Sequence, residues 1–208
     1  MSDEPTIFIG VCNTQSMVPA AFFWSFTAMA KPYRYLVARG GHPWDVVRNN
    51  QLIDKFLKSD ADIFVKMDID QSYPLDYLEQ MVPLVEQYKV IGPVIYDRWE
   101  HNGFMPLAFD EYEPRFIKCP LEGKNRIVDI RYTHTNLFYA REVFEKVKNP
   151  IYRADLSDDG LNRANHVDYC VLDKIRAAGY PVYTNLDVVV KHLAEVPVDE
   201  SVHERWNR

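Results

Sequence analysis

The sequence lacks several features that would place it in a common class of small protein. Its three cysteines among 208 residues are far apart and form no CxxC pair, so neither a disulfide framework nor a zinc knuckle is expected. Its formal net charge of -6 does not suit a broadly basic nucleic-acid surface, although a local basic groove is compatible with that average. The longest apolar stretch, residues 17–30, contains polar residues and is too short to span a bilayer.

The first residues also lack the pattern of a secretion signal, in which a basic segment precedes an apolar one. With the unpaired cysteines, this predicts a cytoplasmic protein that does not act on a membrane. The length is sufficient for one sizeable core, and we expect a single domain over residues 1–208.

Strand patterns and helix patterns alternate along the chain. Strands are predicted at residues 6–11, 62–68, 90–96, 127–132, 136–140, 182–183 and 188–192. Helices are predicted at residues 17–30, 46–58, 74–85, 141–148 and 167–178. This alternation predicts an α/β sandwich around a mostly parallel sheet, with ligands beyond the carboxyl ends of the strands.

Individual residues and loops refine this prediction. Asp45 is expected to cap the second helix, Leu75 to join the apolar stripe of the third, and Pro83 to kink that helix. Residues 97–125 show no periodicity, and so long a loop in a compact domain is usually functional. We expect it to shape a substrate site, and residues 155–165 to form a second loop.

Two carboxylates follow the strand predicted at residues 62–68, in the triplet Asp68-Ile69-Asp70. Residues separated by one position point to the same side of an extended chain. Hard oxygen ligands of this kind suit Mg²⁺ or Mn²⁺ and leave coordination positions open for phosphate. A surface turn is the alternative for such a DxD triplet, and its position at a strand end favours the metal site.

Further motifs occur in order on both sides of this triplet. They are residues 7–13, Val47-Arg48-Asn49, residues 64–74, residues 132–138, residues 141–147, residues 166–170, residues 177–180 and residues 188–192. In this order and spacing they resemble a nucleotide-sugar glycosyltransferase of the GT-A fold, similar to glycosyltransferase family 2 and its phage-like relatives. The resemblance covers most of the chain, and it implies a Rossmann-like sandwich with nucleotide binding at about residues 1–96 and an acceptor side at about residues 97–208.

The resemblance implies a metal-dependent enzyme that moves a hexose from a nucleoside-diphosphate sugar, above all a UDP-sugar, to an acceptor hydroxyl with inversion. It implies that Asp68 and Asp70 contact Mn²⁺ or Mg²⁺ together with the donor's diphosphate and ribose, and that His192 completes the metal shell. A strand histidine bonded to a backbone carbonyl is the alternative for His192.

Further donor contacts are expected outside the metal ligands, from Asn13, Thr14, Arg48 and Ile69. Asn13 and Thr14 follow the first strand and would contact the base, although a simple turn is the alternative there. Arg48 would pair with a donor phosphate or anchor the triplet, with a solvated helix face as the alternative. Aromatic residues in loops would stack on sugar or base, or else cover the core: Trp44, Trp99, His101 and Phe104.

An inverting transferase also needs a base that takes the proton of the acceptor hydroxyl. The sequence departs from the family pattern here, because Asn165 and His166 stand where the family has an acidic pair. Asp168 or His166 could serve, or Asp158-Asp159 from the preceding loop, and we favour Asp168. The alternatives are a first-turn carboxylate stabilised by the helix dipole at Asp168 and an ordinary turn at Asp158-Asp159.

Two other functions compete with transfer. A sugar nucleotidyltransferase would carry a glycine-rich phosphate loop, which residues 10–15 lack. A non-catalytic module that binds nucleotide sugars or carbohydrate would explain the missing acidic pair. Three acceptors are compatible with the sequence: a glycan, a small molecule and a hydroxymethylated base in phage DNA. The DNA acceptor would place the protein in a host cytoplasm and require the base to be flipped out of the duplex. Exposed aromatic residues would allow a homodimer.

Overall fold

The computed structural model describes residues 4–98, 106–111, 117–118, 126–133, 136–155 and 166–193. Helices in these ranges are α1 Ala20–Ala28, α2 Asp45–Leu57, α3 Tyr77–Tyr88, α4 Arg141–Val147 and α5 Val167–Ala177. Strands are β1 Ile7–Cys12, β2 Tyr35–Gly40, β3 Ile63–Asp68, β4 Gln71–Ser72, β5 Val90–Ile95, β6 Ala108–Glu111, β7 Ile117–Lys118, β8 Ile127–Ile130, β9 Tyr132–Thr133, β10 Phe138–Ala140 and β11 Val182–His192.

The main sheet has the strand order β2-β1-β3-β10-β5-β11-β4, with β8 paired to β11. Strand β1 is parallel to both β2 and β3, and β5 is parallel to β11, whereas β10 runs antiparallel between β3 and β5. The predicted α/β class with a mostly parallel sheet is confirmed. Because Cys12 is the register partner of Asp68, the carboxyl ends of β1 and β3 lie side by side.

Helices cover both faces of this sheet, as two consecutive residues of β10 show. Phe138 contacts Tyr77 of α3, with ring centroids 5.2 Å apart, whereas Tyr139 contacts Phe144 of α4 at 4.7 Å. Successive strand residues point to opposite faces, so α3 and α4 lie on opposite sides. All four rings are fully buried, and each such aromatic side chain contributes about 1.5–3 kcal/mol through burial.

The apolar stripes of α2 and α3 face the core, as their spacing predicts. In α2 the residues Leu52, Ile53 and Phe56 are completely buried, and in α3 the stripe comprises Leu78, Met81, Val82 and Val85. The expected start of α3 is wrong, because the helix begins at Tyr77 and Leu75 before it is 62% exposed. The helix continues through Pro83.

The expected cap of α2 is also wrong. Trp44 is the N-cap residue, and Asp45 is the first residue of the helix, where its Oδ1 accepts a hydrogen bond from the Val46 amide at 2.8 Å. Asp45 therefore satisfies one of the free amides of the first turn from inside the helix.

The sequence pattern gives five strand regions incorrectly. Strand β4 is not predicted, and the strand expected at residues 127–132 is two strands, β8 and β9, in different sheets. Strand β2 is not predicted at all, because it is an edge strand whose residues alternate between exposed and half-buried up to Gly40. The two short strands expected at residues 182–183 and 188–192 are one strand, β11, with an irregularity between Asn185 and Val189. The loop predicted over residues 97–125 contains β6 and β7, which form a second sheet of order β7-β6-β9.

Within the described ranges, no helix is long and apolar enough to cross a membrane. Several apolar side chains lie on the surface in and near α1: Met17, Val18, Phe23 and Trp24.

Candidate active site

A cavity of about 370 Å³ lies beyond the carboxyl ends of β1 and β3. Parallel strands in α/β sheets place their ligands at this edge. The walls come from the end of β1 and the following turn, the first turns of α2 and α5, and the turn after β3. The lining residues are Cys12, Thr14, Gln15, Asp45, Arg48, Asn49, Lys66, Asp68, Ile69, Asp70, Arg98, Val167 and Asp168.

Asp68 ends β3 and is paired with a buried lysine of the same strand. The ammonium of Lys66 lies 3.1 Å from Oδ1 and 3.0 Å from Oδ2 of Asp68. Residues two apart in a strand share a face, which explains why this pair forms. Burial lowers the pKa of Lys66, but the Asp68 carboxylate outweighs that effect and leaves the pKa above its ordinary value. Lys66 is therefore a fixed positive charge on the cavity wall.

Asp70 lies two residues further on and meets the end of β11. Strand β4 pairs with β11 so that Gln71 is the register partner of His192, and the Leu193 amide donates to the Asp70 carbonyl at 2.8 Å. Nε2 of His192 lies 3.4 Å from Oδ2 of Asp70, and Nδ1 of His192 lies 3.1 Å from the Tyr96 carbonyl oxygen. The structure thus brings together two residues that the sequence predicts as metal ligands.

A third group contacts the same oxygen of Asp70. Nη1 of Arg98 donates to Oδ2 at 2.9 Å. Burial raises the pKa of Asp70, but the hydrogen bond and charge of His192 and the charge of Arg98 together hold that pKa below its ordinary value. Asp70 is therefore a carboxylate over the whole neutral range.

The pair Asp70 and His192 fits a divalent ion. Two ligand atoms about 2.1 Å from one ion and at roughly right angles lie about 3 Å apart, close to the 3.4 Å between Oδ2 and Nε2. The carboxylate oxygen suits Mn²⁺ or Mg²⁺, and the imidazole nitrogen favours Mn²⁺ of the two, because Mg²⁺ prefers oxygen ligands. Among the residues that the structure describes, no three His, Cys, Asp or Glu side chains are grouped so that they could hold a metal. Asp68, bound to Lys66, does not join the pair in this arrangement.

A buried hydroxyl fixes the backbone of the turn that carries both carboxylates. The Tyr73 hydroxyl accepts from the Asp68 amide at 2.9 Å and lies 3.1 Å from the Asp68 carbonyl oxygen. The same hydroxyl is 3.1 Å from Oδ1 of Asn136 and 3.3 Å from Oε1 of Gln71. Asn136 is completely buried, with a positive φ of 55°. Tyr73 therefore ties the turn to the segment before β10.

Only some of the residues predicted to contact the nucleotide line the cavity. Thr14 and Ile69 line the cavity. Asn13 is buried, and its Oδ1 accepts from the Gln15 amide at 2.8 Å, as in the simple turn considered for it. Nε of Arg39 donates to the Asn13 carbonyl at 3.1 Å and braces this turn.

Arg48 enters the cavity from the first turn of α2. Its Nη1 donates to the His42 carbonyl at 3.1 Å. Its Nε is buried and has no hydrogen-bond partner within the described segments. A buried donor without an acceptor costs about 1–3 kcal/mol. The guanidinium of Arg48 also lines the cavity, where it could donate to an anionic ligand.

The two candidate bases, Asp168 and His166, meet at the start of α5. His166 is the N-cap residue, and its Nδ1 accepts from the Asp168 amide at 3.3 Å. The same nitrogen lies 3.5 Å from Oδ2 of Asp168. Because Nδ1 accepts, a neutral His166 carries its proton on Nε2 and offers no lone pair there. Only Asp168 of the two lines the cavity, which favours it as the base.

Other predicted site residues lie outside the described residues: Trp99, His101, Phe104, Asp158, Asp159 and Asn165. Trp44 is 72% exposed and does not line the cavity. The sequence pattern does not identify Lys66, Arg98 or Tyr73 as site residues. Lys66 gives one indication, since it is a charged residue within an otherwise apolar strand, whereas the contact of Arg98 requires the folded structure.

No protein-family model matches the chain, and no curated protein matches it in sequence. Solved structures do share its fold. A197 from STIV superimposes with a TM-score of 0.58 at 17% identity, covering 94% of this chain and 87% of A197. GalNAc-T7, solved with UDP, GalNAc and Mn²⁺, superimposes with a TM-score of 0.60 at 11% identity, covering 93% of this chain and 44% of that protein.

TarS from S. aureus, residues 1–349 in complex with UDP-GlcNAc, superimposes with a TM-score of 0.56 at 8% identity. The match covers 94% of this chain and 60% of the TarS chain, so this protein spans less than two thirds of both TarS and GalNAc-T7. The chain has the GT-A fold of nucleotide-sugar glycosyltransferases.

Proposed function

We propose that the protein is a metal-dependent glycosyltransferase that moves a hexose from a nucleoside-diphosphate sugar, most simply a UDP-sugar, to an acceptor hydroxyl with inversion. The observation that carries the proposal is the 3.4 Å approach of His192 to Asp70, which lines the cavity at the carboxyl edge of the sheet. The structural neighbours GalNAc-T7 and TarS, solved with UDP or UDP-GlcNAc, support the same ligand class.

In this proposal Asp70 and His192 hold Mn²⁺ or Mg²⁺, which when bound neutralises charge on the departing diphosphate. Two protein ligands leave most of the coordination sphere to phosphate oxygens and water, as Mg²⁺ sites usually do. The sequence also predicts Asp68 as a ligand. We assign Asp68 to the ribose side of the donor, because Lys66 holds both of its oxygens.

The charges of the cavity support an anionic donor. Its lining has three cationic side chains, Arg48, Lys66 and Arg98, and four carboxylates, Asp45, Asp68, Asp70 and Asp168. The formal charge is therefore negative by one, and a divalent ion would make it positive by one. A diphosphate would then be attracted, and the guanidinium of Arg48 at the cavity wall could donate to its oxygens.

In this proposal Asp168 is the base that activates the acceptor hydroxyl. Asp168 lies in the first turn of α5 and lines the cavity. A carboxylate at the cavity wall can take the proton of an acceptor hydroxyl as that oxygen attacks the anomeric carbon. Asp168 comes from the predicted acceptor side at about residues 97–208, which in this proposal also contributes His192 to the metal pair.

The central experiment measures nucleotide release from a panel of UDP-, GDP- and dTDP-sugars, with and without Mn²⁺. We expect the wild type to release one nucleotide in a Mn²⁺-dependent manner, and Asp70→Ala and His192→Ala to lose that release. Asp60→Ala is the matched control, because Asp60 is an exposed carboxylate in a surface ion pair with Arg34.

Metal-dependent binding of a sugar nucleotide without any turnover would instead support a non-catalytic binding module. No binding of any donor would contradict both functions. Once the donor is known, transfer of its labelled sugar can be tested on glycans, small alcohols and DNA with hydroxymethylated pyrimidines. Sedimentation of the wild type and Trp24→Ser tests whether the exposed apolar residues of α1 support a homodimer.

A further inference from the structure

Arg98 occupies the oxygen of Asp70 that a metal would need. Nη1 of Arg98 is 2.9 Å from Oδ2 of Asp70, and this is the oxygen that faces Nε2 of His192. The side chains of Arg98 and Asp70 are 36% and 41% exposed, so water screens the ion pair and makes it easy to exchange. Lys66, only 4% exposed, is by contrast held in place on Asp68.

Simultaneous binding of a divalent ion and the Arg98 guanidinium to Oδ2 of Asp70 is unfavourable. An ion bound to Asp70 would lie about 2.1 Å from the carboxylate oxygen. Arg98 at its present distance would then place a second positive charge within a few ångströms of the first, and the two would repel each other. Binding of the ion to Asp70 and His192 therefore requires Arg98 to leave Oδ2.

The guanidinium of Arg98 can remain in the cavity after it leaves Asp70. Arg98 lines the cavity, and Tyr96, two residues earlier, is anchored through its carbonyl to Nδ1 of His192. A guanidinium that pivots about this anchor stays at the cavity, where a diphosphate would lie beside the ion. Its planar set of donors matches two phosphate oxygens at once.

We propose that Arg98 is an exchange residue that neutralises Asp70 when the donor is absent and binds the donor diphosphate when Asp70 is released to a divalent ion. This inference rests on the proposed function. It has a consequence that a structural ion pair lacks: Arg98 opposes binding of the metal alone and favours binding of metal and nucleotide together. By linkage, each ligand then raises the affinity for the other.

The experiment uses Mn²⁺ alone and then UDP, and it requires no turnover. Free Mn²⁺ is followed by electron paramagnetic resonance during titration into the wild type, Arg98→Gln, Arg98→Lys and the control Arg34→Gln, which removes an exposed arginine with an ion pair of its own. UDP binding at saturating Mn²⁺ is then measured by calorimetry. Circular dichroism establishes that all variants are folded.

We expect Arg98→Gln to bind Mn²⁺ alone about 2- to 5-fold more tightly, since an exposed pair has been removed from Asp70. It should bind UDP with Mn²⁺ about 10-fold more weakly, since a charged hydrogen bond has been lost. Arg98→Lys should resemble the wild type with Mn²⁺ alone but remain weaker for UDP. Arg34→Gln should match the wild type in both measurements.

Unchanged or weaker Mn²⁺ binding by Arg98→Gln, with a wild type that binds Mn²⁺, would overturn the exchange role and leave the proposed function intact. Unchanged binding of UDP in Arg98→Gln would do the same. Absence of Mn²⁺ binding in every variant, with or without UDP, would overturn the metal site of the proposed function and the exchange role with it.

Discussion

The ammonium of Lys66 lies 3.0 and 3.1 Å from the two carboxylate oxygens of Asp68, with side chains that are 4% and 17% exposed. Removing charges from water is costly, and their attraction compensates only when both partners are present. The raised pKa of Lys66 keeps the ammonium charged in the folded protein, as the attraction requires. The pair therefore supplies little net stability over an apolar pair but is costly to break.

The first prediction is a double-mutant cycle on this pair. Lys66→Met leaves the Asp68 carboxylate without its partner, and we expect the free energy of unfolding to fall by about 3 kcal/mol. Asp68→Asn leaves a buried lysine unpaired and should cost a similar amount. The double variant should be more stable than either single variant. Urea denaturation followed by circular dichroism measures all four proteins, and strict additivity of the two single effects would contradict the prediction.

The second prediction concerns the hydroxyl of Tyr73 beneath the turn. Tyr73→Phe removes the acceptor of the Asp68 amide and the contact to Asn136, and we expect it to destabilise the fold by about 1–3 kcal/mol. The turn that carries Asp68 and Asp70 should also loosen, so Mn²⁺ should bind more weakly. Urea denaturation and Mn²⁺ titration measure the two effects.

Tyr77→Phe is the matched control for Tyr73→Phe. Tyr77 is also buried, and its hydroxyl donates only to the Asn136 carbonyl among the described contacts, at 3.3 Å. It should lower stability by a comparable or smaller amount while leaving Mn²⁺ affinity unchanged. Equal losses of Mn²⁺ affinity in both variants would show that Tyr73 acts through general stability and not through the turn.

The periodicity of the sequence was sufficient for the buried parts of the fold. In β3, α2 and α5 the buried positions carry apolar residues at strand or helix spacing, so the sequence alone predicts these elements. Strand β2 escapes the same reasoning, since an edge strand with exposed Tyr35 and Val37 carries no burial pattern. Its place is set by pairing with β1, which local sequence does not encode.

Some residues of the candidate site can likewise be predicted from the sequence, and others cannot. Asp68 and Asp70 are predictable because a strand end places them at the ligand edge of the sheet. Arg98 comes to Asp70 across 28 positions of sequence, through the positions of β5 and β11, and no local pattern signals that contact. A lysine is expected at the surface, and Lys66 can be buried only because it is paired with Asp68.

The third prediction concerns the thiol of Cys12, which lines the cavity and donates to Oδ1 of Asn49 at 3.2 Å. Burial raises the pKa of this thiol to about 12. The folded state therefore keeps the proton while an unfolded thiol releases it above a pKa of about 8.5, so stability should fall as pH rises from about 8.5 towards 12. At pH 9.5 the loss should be about 1 kcal/mol.

Cys12→Ala should remove this contribution, so the gap in stability between the wild type and the variant should narrow from pH 8 to pH 9.5. Urea denaturation at several pH values measures the gap. Iodoacetamide should modify Cys170, whose side chain is partly exposed, well before Cys12 in the native protein. Rapid alkylation of Cys12 at pH 8 would be inconsistent with a protonated, buried thiol.

The fourth prediction distinguishes the two candidate bases at the start of α5. Asp168→Asn keeps the shape of the side chain but cannot accept a proton, so we expect kcat for transfer to fall by about 10²- to 10⁴-fold with little change in the KM for the donor. His166→Asn keeps a good N-cap residue, so the helix should remain intact. Its kcat should stay within a few-fold of the wild type, because Nδ1 of His166 caps α5 through the Asp168 amide and the other ring nitrogen carries the proton. Transfer assays at saturating donor measure both variants, and a larger loss in His166→Asn than in Asp168→Asn would assign the base to the histidine instead.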